Sequence, residues 1–168
     1  MNAISQIFNS YKEFKKAKLN WVQTLRNYGW HDIILTNGCF DILTLNHIKF
    51  LHEFFEQGGI HIILLDSDES IKKIKGSSRP INNFEHRAEM LSEVFNRERP
   101  FIIKVDSNEI TNIIKKLKPK LYFKGGDYKK ETINDYDIIK KNTGWIILTE
   151  KFAAQSTTEI IEKIKRHD

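Results

Sequence analysis

The fold is decided by residues 33 to 47, which read Ile33-Ile34-Leu35-Thr36-Asn37-Gly38-Cys39-Phe40-Asp41-Ile42-Leu43-Thr44-Leu45-Asn46-His47. The stretch begins with an apolar run that predicts a buried strand. The pair Asn37-Gly38 follows and is typical of a tight turn. Beyond His47, apolar residues recur at helical spacing at positions 48, 51, 54 and 55. A strand, a glycine turn and a helix that starts near a histidine form the arrangement with which α/β folds hold phosphate groups.

Outward from this stretch, apolar runs that predict strands alternate with helical patterns. The predicted strands cover residues 33–36, 60–65, 101–105, 121–123 and 145–148. The predicted helices cover residues 2–28, 47–57, 84–96, 110–117, 132–140 and a C-terminal segment after residue 156. Such alternation implies a parallel sheet covered on both faces, and right-handed crossovers restrict it to a doubly wound topology. We therefore predict an α/β, Rossmann-like fold with a five-stranded parallel sheet. It forms a single domain at residues 31–168, after an N-terminal helical extension at residues 1–30.

The composition excludes several classes of protein. With 168 residues, of which 40% are hydrophobic, the chain is long enough to bury a core. Its single cysteine excludes an internal disulfide and suits the cytoplasm, where we expect the protein. No apolar run approaches the roughly 18 residues of a membrane span, so we expect no membrane partner. The histidines are scattered without the spacing of zinc ligands.

The net charge of +5, from 27 basic and 22 acidic side chains, suggests an anionic ligand. Nucleic acid is disfavoured, because the lysines are spread over several predicted helices and form no basic stripe. Most of these charges are typical of a solvated, lysine-rich surface, and the net charge alone decides little.

Four polar segments fall at the carboxyl ends of predicted strands, where parallel sheets bind their ligands. They are residues 36–47, 66–70, 124–128 and the loop before Ser156. A fifth segment, Lys75-Gly76-Ser77-Ser78-Arg79-Pro80, combines two cations with turn residues and predicts a mobile flap over the others. The convergence of these segments is stronger evidence for a site than any one of them.

Several residues in these segments suit phosphate, although each also has a plain structural explanation. Backbone N–H groups at Asn37-Gly38 can approach an anion, or the pair forms only a turn. His47 at a helix start can donate to a phosphate oxygen as imidazolium, or it is an ordinary surface or core residue. Ser156 and Thr157 present hydroxyl and N–H groups at a helix start, or Ser156 forms only a capping box with Glu159.

The segment Lys124-Gly125-Gly126-Asp127-Tyr128 is more specific. Two adjacent glycines directly after a buried strand form a backbone-lined surface between a cation and an anion. Lys124 suits a phosphate, and Asp127 suits a sugar hydroxyl or a metal. The plainer alternative is a glycine turn with two solvated charges.

Other reactive and aromatic residues receive structural interpretations. We expect Cys39 to be a small packed residue, because no His-Asp pair stands beside it to suggest a nucleophile. The run Glu85-His86-Arg87 lies on a predicted helix and is expected to be a solvated face, with Arg87 within reach of the flap. The tryptophans are expected in the core or at an interface, and they are Trp21, Trp30 and Trp145.

Taken together and in order, these segments resemble the cytidylyltransferase-like nucleotidyltransferases. The similarity covers residues 31–165 with few gaps. Within the family, the segment 124–128 favours the heptose 1-phosphate adenylyltransferase branch over the glycerol-phosphate cytidylyltransferases. The matching segments are Thr36-Asn37-Gly38-Cys39-Phe40-Asp41-Ile42-Leu43, Ser67-Asp68, Lys75-Gly76 with Arg79-Pro80, Lys124-Gly125-Gly126-Asp127-Tyr128, and Ser156-Thr157-Thr158 with Ile160-Ile161.

The resemblance implies transfer of AMP or CMP from ATP or CTP to a sugar phosphate, with release of pyrophosphate and use of Mg²⁺. Heptose 1-phosphate is the lead acceptor, for a surface polysaccharide precursor, and a homo-oligomer is expected. The attacking phosphate is already an anion near neutral pH. Catalysis therefore reduces to alignment and charge stabilisation at the α-phosphate.

The resemblance also implies roles for individual residues. The implied catalytic residues, which supply positive charge, are His47, Lys75 and Lys124. The implied nucleotide-binding residues are Thr36, Asn37, Gly38, Cys39, Phe40, Thr44, His47, Lys124, Gly125, Asp127, Ser156, Thr157 and Thr158. The implied substrate-binding residues are Asp41, Asp68, Lys75 and Arg79, and Asp41 is also the implied ligand for Mg²⁺.

The sequence departs from the family pattern at three positions. Thr44 and Asn46 stand where the His-x-Gly-His motif has its first histidine and its glycine, and Asp66 stands where asparagine is usual. A threonine hydroxyl still donates to a phosphate oxygen. The Asn46 side chain either adds bulk at the phosphates or binds them itself. These departures leave open an alternative, a non-catalytic relative that binds a nucleotide or only a partner protein.

Overall fold

The computed structural model describes residues 6–27, 32–125, 131, 133, 136–149 and 156–166. Within these residues the strands are β1 (Ile7–Phe8), β2 (Ile33–Gly38), β3 (Ile60–Asp66), β4 (Phe101–Val105), β5 (Leu121–Gly125) and β6 (Trp145–Thr149). The helices are α1 (Tyr11–Asn27), α2 (Leu45–Glu56), α3 (Asp68–Lys75), α4 (Phe84–Val94), α5 (Ile110–Leu117), α6 (Tyr136–Asn142) and α7 (Thr157–Lys165).

The described strands form one parallel sheet in the order β1-β4-β3-β2-β5-β6. The predicted α/β fold with a parallel sheet is confirmed, but the predicted number of five strands was wrong. Ile7 and Phe8 add a sixth strand by pairing with Ile102 and Ile103 of β4. Two residues are too few to show a strand period, so the helical pattern assigned to residues 2–28 concealed them.

Alternate strand residues fill two separate cores, one on each face of the sheet. The first core holds Leu35 and Leu64 together with residues of α1, α5 and α6. The second core holds Ile34 and Leu65 together with residues of α2 and α4. Both faces are therefore covered, which explains why the strands read as continuous apolar runs.

The first helix packs directly on the sheet. Phe14 and Val22 of α1 are fully buried in the first core. The ring of Phe14 lies 5.4 Å from that of Phe8 and 5.5 Å from that of Phe101, between ring centroids. Burial of a side chain of this size contributes roughly 1.5–3 kcal/mol. The predicted division at residue 30 stays a prediction, since residues 28–31 lie outside the described residues.

Trp145 is the tryptophan whose side chain the structure describes. It lies at the start of β6 and is 71% exposed, so it is not in the core, and the predicted alternative of an interface stays a prediction. Trp30 and the side chain of Trp21 lie outside the described part of the chain.

The strand order creates a topological switch point at the carboxyl edge of the sheet. α2 follows β2 on one face, whereas α6 follows β5 on the other, although β2 and β5 are neighbours. Doubly wound sheets bind their ligands in a crevice at such a switch point. Gly38 and Gly125, the last residues of the two strands, mark the crevice.

Candidate active site

The loop after β2 turns at Phe40 rather than at the predicted Asn37-Gly38 pair. Asn37 and Gly38 complete β2 and pair with Leu64 and Leu65 of β3. Phe40 has a φ of 45°, in the left-handed region that a residue with a Cβ rarely adopts. Glycine is needed at position 38 because a Cβ there would lie 2.9 Å from the Phe40 ring. The correction moves the turn two residues along the chain.

The side chains at the end of β2 hold the crevice together. Thr36 is fully buried, and its Oγ1 donates to the carbonyl of Phe123 at 3.0 Å. The Tyr122 hydroxyl donates to Asn37 Oδ1. Both bonds join β2 to β5, so they fix the edge on which the site is built. The predicted contacts of Thr36 and Asn37 with a nucleotide stay predictions.

Gly125 allows α2 to pack against the end of β5. A Cβ at this position would lie 2.5 Å from the ring of Phe50, which belongs to α2. Glycine permits this close approach because it has no side chain. The placement of α2, and with it of the residues in its first turn, therefore depends on Gly125.

His47 is fixed in the first turn of α2. The N–H of Thr44, the N-cap of this helix, donates to His47 Nδ1 at 3.1 Å. Thr44 Oγ1 lies at the same distance from Nδ1. Burial and the nearby charge of Lys75 hold the pKa of His47 below its ordinary value, against a hydrogen bond with the backbone of Ile42. The lowered pKa favours a neutral imidazole over the predicted imidazolium, and contact of the ring with a phosphate stays a prediction.

Lys75 brings a charge to the same place from α3. The segment 66–70, predicted as a polar turn, is the start of this helix, and Ser67 Oγ caps it by accepting from the Ser70 N–H at 3.1 Å. Lys75 is exposed at the last position of α3, and its charge acts on His47 and Asp66. A helix that sequence reasoning missed therefore carries one of the predicted catalytic lysines to the crevice.

Asp41 and Arg79 join the loop after β2 to the segment after α3. Arg79 Nε donates to Asp41 Oδ2 at 2.6 Å, and both residues are buried. The backbone N–H groups of Ile81 and Asn82 donate to the same carboxylate. The flap predicted to be mobile is thus anchored at Arg79.

The hydrogen bonds to Asp41 also favour its ionised form. Burial alone would raise the pKa of Asp41, but the N–H groups of Asn82 and Ile81 and the guanidinium of Arg79 outweigh it and hold the pKa below its ordinary value. Both carboxylate oxygens accept from these donors. This arrangement favours a structural role over the predicted contacts with substrate and Mg²⁺, which stay predictions.

Arg87 binds four groups of the site, although it was predicted on a solvated face. It is fully buried. Its guanidinium donates to the carbonyl oxygens of Cys39 at 2.7 Å, Asp66 at 2.8 Å and Asn82 at 3.0 Å. It also donates to the Asp68 carboxylate at 2.6 Å. One side chain thus ties the ends of β2 and β3 to the starts of α3 and α4.

The sequence did contain a signal for Arg87. Its charged neighbours at positions 85 and 86 suggested solvent. Helical spacing indicated the opposite, because position 87 lies three residues after Phe84 and four before Leu91, which are both buried. The periodicity of α4 therefore outweighs the polarity of its neighbours.

Asp66 and Cys39 form a partly buried pair between β3 and the loop after β2. Asp66 is 6% exposed, and its Oδ2 accepts from Cys39 Sγ at 3.3 Å. Its Oδ1 has no hydrogen-bond partner among the described residues. Burial raises the pKa of Asp66, while Cys39, Lys124, Arg87 and Lys75 oppose that rise.

The Cys39 thiol is protonated at neutral pH. Burial, and next the charge of Asp66, raise its pKa to about 11. A thiol in this state is a poor nucleophile. The arrangement agrees with the expectation of a packed residue.

Lys124 reaches the crevice from β5. It is 9% exposed, and burial lowers its pKa, against the opposing influence of Asp66 and Cys39. Lys124, Asp66 and Asn37 lie on the same face of three adjacent strands. Each stands two positions beyond a residue of the first core, namely Tyr122, Leu64 and Leu35.

The N-terminus of α7 meets the loop after β2. Ser156 Oγ accepts from the Glu159 N–H at 3.2 Å, and the Ser156 N–H donates to Glu159 Oε2 at 2.7 Å, so the predicted capping box is confirmed. Thr157 Oγ1 donates to the carbonyl of Ile42 at 3.1 Å. This bond aims a helix N-terminus, which attracts anions, at the crevice. Thr158 is exposed in the same turn.

The structure brings together some of the predicted site residues and not others. Electrostatic interactions connect Lys75, Cys39 and Lys124 with Asp66, which the prediction had omitted, and they connect Lys75 with His47. The remaining described polar residues bind one another instead, as Asp41 with Arg79 and Asp68 with Arg87 show. Asp127 lies outside the described residues.

Within the described residues no group of three or more His, Cys, Asp and Glu is arranged to hold a metal ion, and no helix has the length and apolarity to cross a membrane.

Comparison with known proteins decides the family. A family model described as cytidylyltransferase-like matches residues 35–163, which include every element of the crevice. The chain belongs to the cytidylyltransferase-like family. The resemblance indicated by the sequence motifs is thereby confirmed.

The chain is similar to parts of longer bacterial proteins. It is 36% identical over 167 residues to the bifunctional protein HldE of Campylobacter concisus, which covers 96% of this chain and 34% of that relative. It is 40% identical over 133 residues to HldE of Campylobacter jejuni subsp. doylei, which covers 79% of this chain and 28% of that relative. The chain thus spans about a third of the length of these curated relatives.

A solved structure supports the fold. The pantoate-beta-alanine ligase from Francisella tularensis superimposes with a TM-score of 0.63, covering 96% of this chain and 79% of the ligase chain. The sequence identity is 12%, so this similarity concerns the Rossmann-like fold alone.

Proposed function

We propose that this chain is a nucleotidyltransferase that transfers a nucleoside monophosphate from an NTP to a sugar phosphate and releases pyrophosphate. ATP is favoured over CTP as donor, and heptose 1-phosphate is the lead acceptor, for a surface polysaccharide precursor. Membership of the cytidylyltransferase-like family and the similarity to HldE proteins support the reaction class. Because the chain spans about a third of those relatives, the proposal concerns the transfer reaction only.

One observation carries the proposal, namely the meeting of three phosphate-binding elements at one crevice. The first turn of α2 carries His47, whose Nδ1 accepts from the Thr44 N–H. The N-terminus of α7 is held against the loop after β2 by Thr157. Lys75 acts on His47 from the end of α3. In our proposal these groups face the same phosphates.

This set of groups suits phosphoryl-group chemistry without a general base. An acceptor phosphate attacks the α-phosphorus as an anion, and the bond from that phosphorus to the bridging oxygen breaks. The charge that leaves with pyrophosphate is stabilised by donors already in position. The His47 ring and the ammonium groups of Lys75 and Lys124 are those donors in our proposal. Loss of a single preorganised donor of this kind typically lowers kcat by about 10²–10³.

The site also contains a group that fits the Mg²⁺ implied by the family. When bound, Mg²⁺ neutralises phosphate charge and orients the phosphates. The protein contributes a buried carboxylate oxygen, Asp66 Oδ1, which has no hydrogen-bond partner among the described residues. The Asp41 carboxylate is less suited, because N–H groups already occupy its oxygens.

A release assay tests the proposal. Pyrophosphate release is measured with ATP, CTP, GTP and UTP, each crossed with a panel of sugar phosphates that includes heptose 1-phosphate. We expect release with ATP that requires a sugar phosphate. Calorimetry on the same nucleotides distinguishes the proposed enzyme from a non-catalytic relative. Such a relative binds a nucleotide and releases no pyrophosphate with any acceptor. Release without any acceptor would indicate hydrolysis and would contradict the proposal.

A further inference from the structure

Asp66 places a negative charge where the proposed function calls for positive ones. It is the last residue of β3, at the carboxyl edge of the sheet, and it is 94% buried, since its exposed fraction is 6%. The thiol of Cys39 donates to Oδ2 at 3.3 Å, whereas Oδ1 has no hydrogen-bond partner among the described residues. A buried carboxylate oxygen without a partner is costly to the folded protein.

The surroundings of this carboxylate are known from each neighbouring element. Lys124 lies on the same face of the sheet, two strands away, and its charge acts on Asp66. Lys75 acts on it from the end of α3. Arg87 is also near, but its guanidinium donates to the backbone carbonyl of Asp66 and not to the carboxylate. The carboxylate therefore lies within the cationic crevice and not outside it.

A crevice that binds a free polyphosphate gains nothing from such a carboxylate, because like charges repel in a buried site. A crevice that binds a polyphosphate together with a divalent cation gains affinity from this carboxylate. Mg²⁺ is usually held by one or two carboxylates plus substrate phosphates, not by a cage of protein ligands. The described residues fit this mode of Mg²⁺ binding, because they offer no group of three or more metal-binding side chains.

We propose that Asp66 is a ligand for the Mg²⁺ that accompanies the nucleoside triphosphate, an assignment that rests on the proposed nucleotidyltransferase function. Oδ1 supplies the protein's oxygen, and the phosphates meet the positive charges of Lys75 and Lys124. Asp41, the ligand implied by the family resemblance, instead holds Arg79 in place. Asparagine, the usual residue here in the family, has a neutral oxygen, so Asp66 gives this chain a stronger dependence on the metal.

The test compares nucleotide binding with and without metal. The probe is α,β-methylene-ATP, measured by calorimetry with Mn²⁺ and again in excess EDTA, and bound Mn²⁺ is followed by electron paramagnetic resonance. We expect Asp66→Asn to weaken binding of the Mn²⁺ complex by at least about tenfold. In EDTA the same variant should bind the analogue equally well or more tightly, because one repulsive charge is gone. Weaker binding with Mn²⁺ and no weaker binding in EDTA is the signature of a metal ligand.

Other outcomes overturn the assignment. If Asp66→Asn weakens binding of the analogue by the same factor with Mn²⁺ and in EDTA, Asp66 only positions Lys124. If neither affinity changes, Asp66 is no ligand. If the wild type binds no analogue under either condition, the proposed function itself fails, and the assignment fails with it. Asp137→Asn, an exposed change on α6, controls for the loss of one negative charge, and Asp66→Ser is a second neutral variant if Asp66→Asn does not fold.

Discussion

Arg79 donates through Nε to Asp41 at 2.6 Å, and the two side chains are 8% and 1% exposed. Removal of one partner of a buried ion pair costs about 3–5 kcal/mol, because the other charge is left buried. We expect Asp41→Asn to lower the free energy of unfolding by about 3 kcal/mol, measured by urea denaturation.

A second ion pair provides the matched control. Lys120 and Asp32 also lie 2.6 Å apart, but their side chains are 56% and 47% exposed. Exposed pairs contribute about 0–1 kcal/mol, so Asp32→Asn should change stability by no more than that. Equal losses in the two variants would show that burial does not strengthen the Asp41 pair.

The contribution of Asp41 should also depend on pH in a defined direction. The N–H groups of Asn82 and Ile81, with Arg79, overcome the effect of burial and hold the pKa of Asp41 below its ordinary value. The folded protein therefore binds this proton less tightly than the unfolded chain does. The stabilisation is fully present above the unfolded pKa of roughly 3.9 and is lost as the pH falls through the lower folded pKa.

Denaturation at several pH values checks this dependence. The stability difference between the wild type and Asp41→Asn should be constant from neutral pH down to about pH 5 and should shrink below roughly pH 4. A difference that grows on acidification would mean that the folded pKa is raised, contrary to the bonds observed.

His47 is expected to act as a neutral hydrogen-bond donor. His47→Ala should lower kcat by about 10²–10³, as for other preorganised donors. His47→Gln should retain part of the activity, because its amide N–H replaces a ring N–H without a charge. The measurement is steady-state pyrophosphate release. His86→Ala, an exposed change on α4, should behave as the wild type. Equal loss in the Ala and Gln variants would contradict the neutral-donor role.

Arg87 should not be replaceable by lysine. Its guanidinium donates to the carbonyls of Cys39, Asp66 and Asn82 and to the carboxylate of Asp68. An ammonium group cannot match that planar set of donors. We expect Arg87→Lys to lower the melting temperature measurably and Arg87→Ala to lower it further. Retention of full stability by the lysine variant would show that charge alone is enough here.

Gly125 should tolerate no methyl group. A Cβ would lie 2.5 Å from the Phe50 ring, and overpacking of this kind costs about 1–3 kcal/mol. Gly58→Ala is the control, because a Cβ there meets nothing within 4 Å. The double variant Gly125→Ala, Phe50→Leu should recover part of the loss in chemical denaturation. Additive losses would show that the clash with Phe50 is not the cause.

Sequence periodicity predicted the parallel sheet because the strands are covered on both faces and read as apolar runs. It failed at Ile7–Phe8, which is too short to show a period. It also misplaced the turn after β2, since Gly38 is needed for the space beside Phe40 and not for its backbone angle. The pairing of Ile7 with Ile102 joins residues that are distant in sequence, so local periodicity does not report it.

The candidate site, like the fold, was predictable from the sequence only in part. The motifs identified the segments that meet at the crevice, because their positions follow from strand ends. They did not show that Asp41 binds Arg79 or that Arg87 is buried, since both facts depend on which side chains face each other. The protonation of His47 was also out of reach, because it depends on the Thr44 N–H and on burial.

The fate of isotopic label tests the proposed transfer reaction. The protein is incubated with heptose 1-phosphate and with ATP labelled either at the α-phosphorus or at the γ-phosphorus. We expect α-label in a nucleotide sugar and γ-label in pyrophosphate, in equal molar amounts. Release of γ-label as orthophosphate, or no transfer of α-label to any sugar phosphate offered, would contradict it.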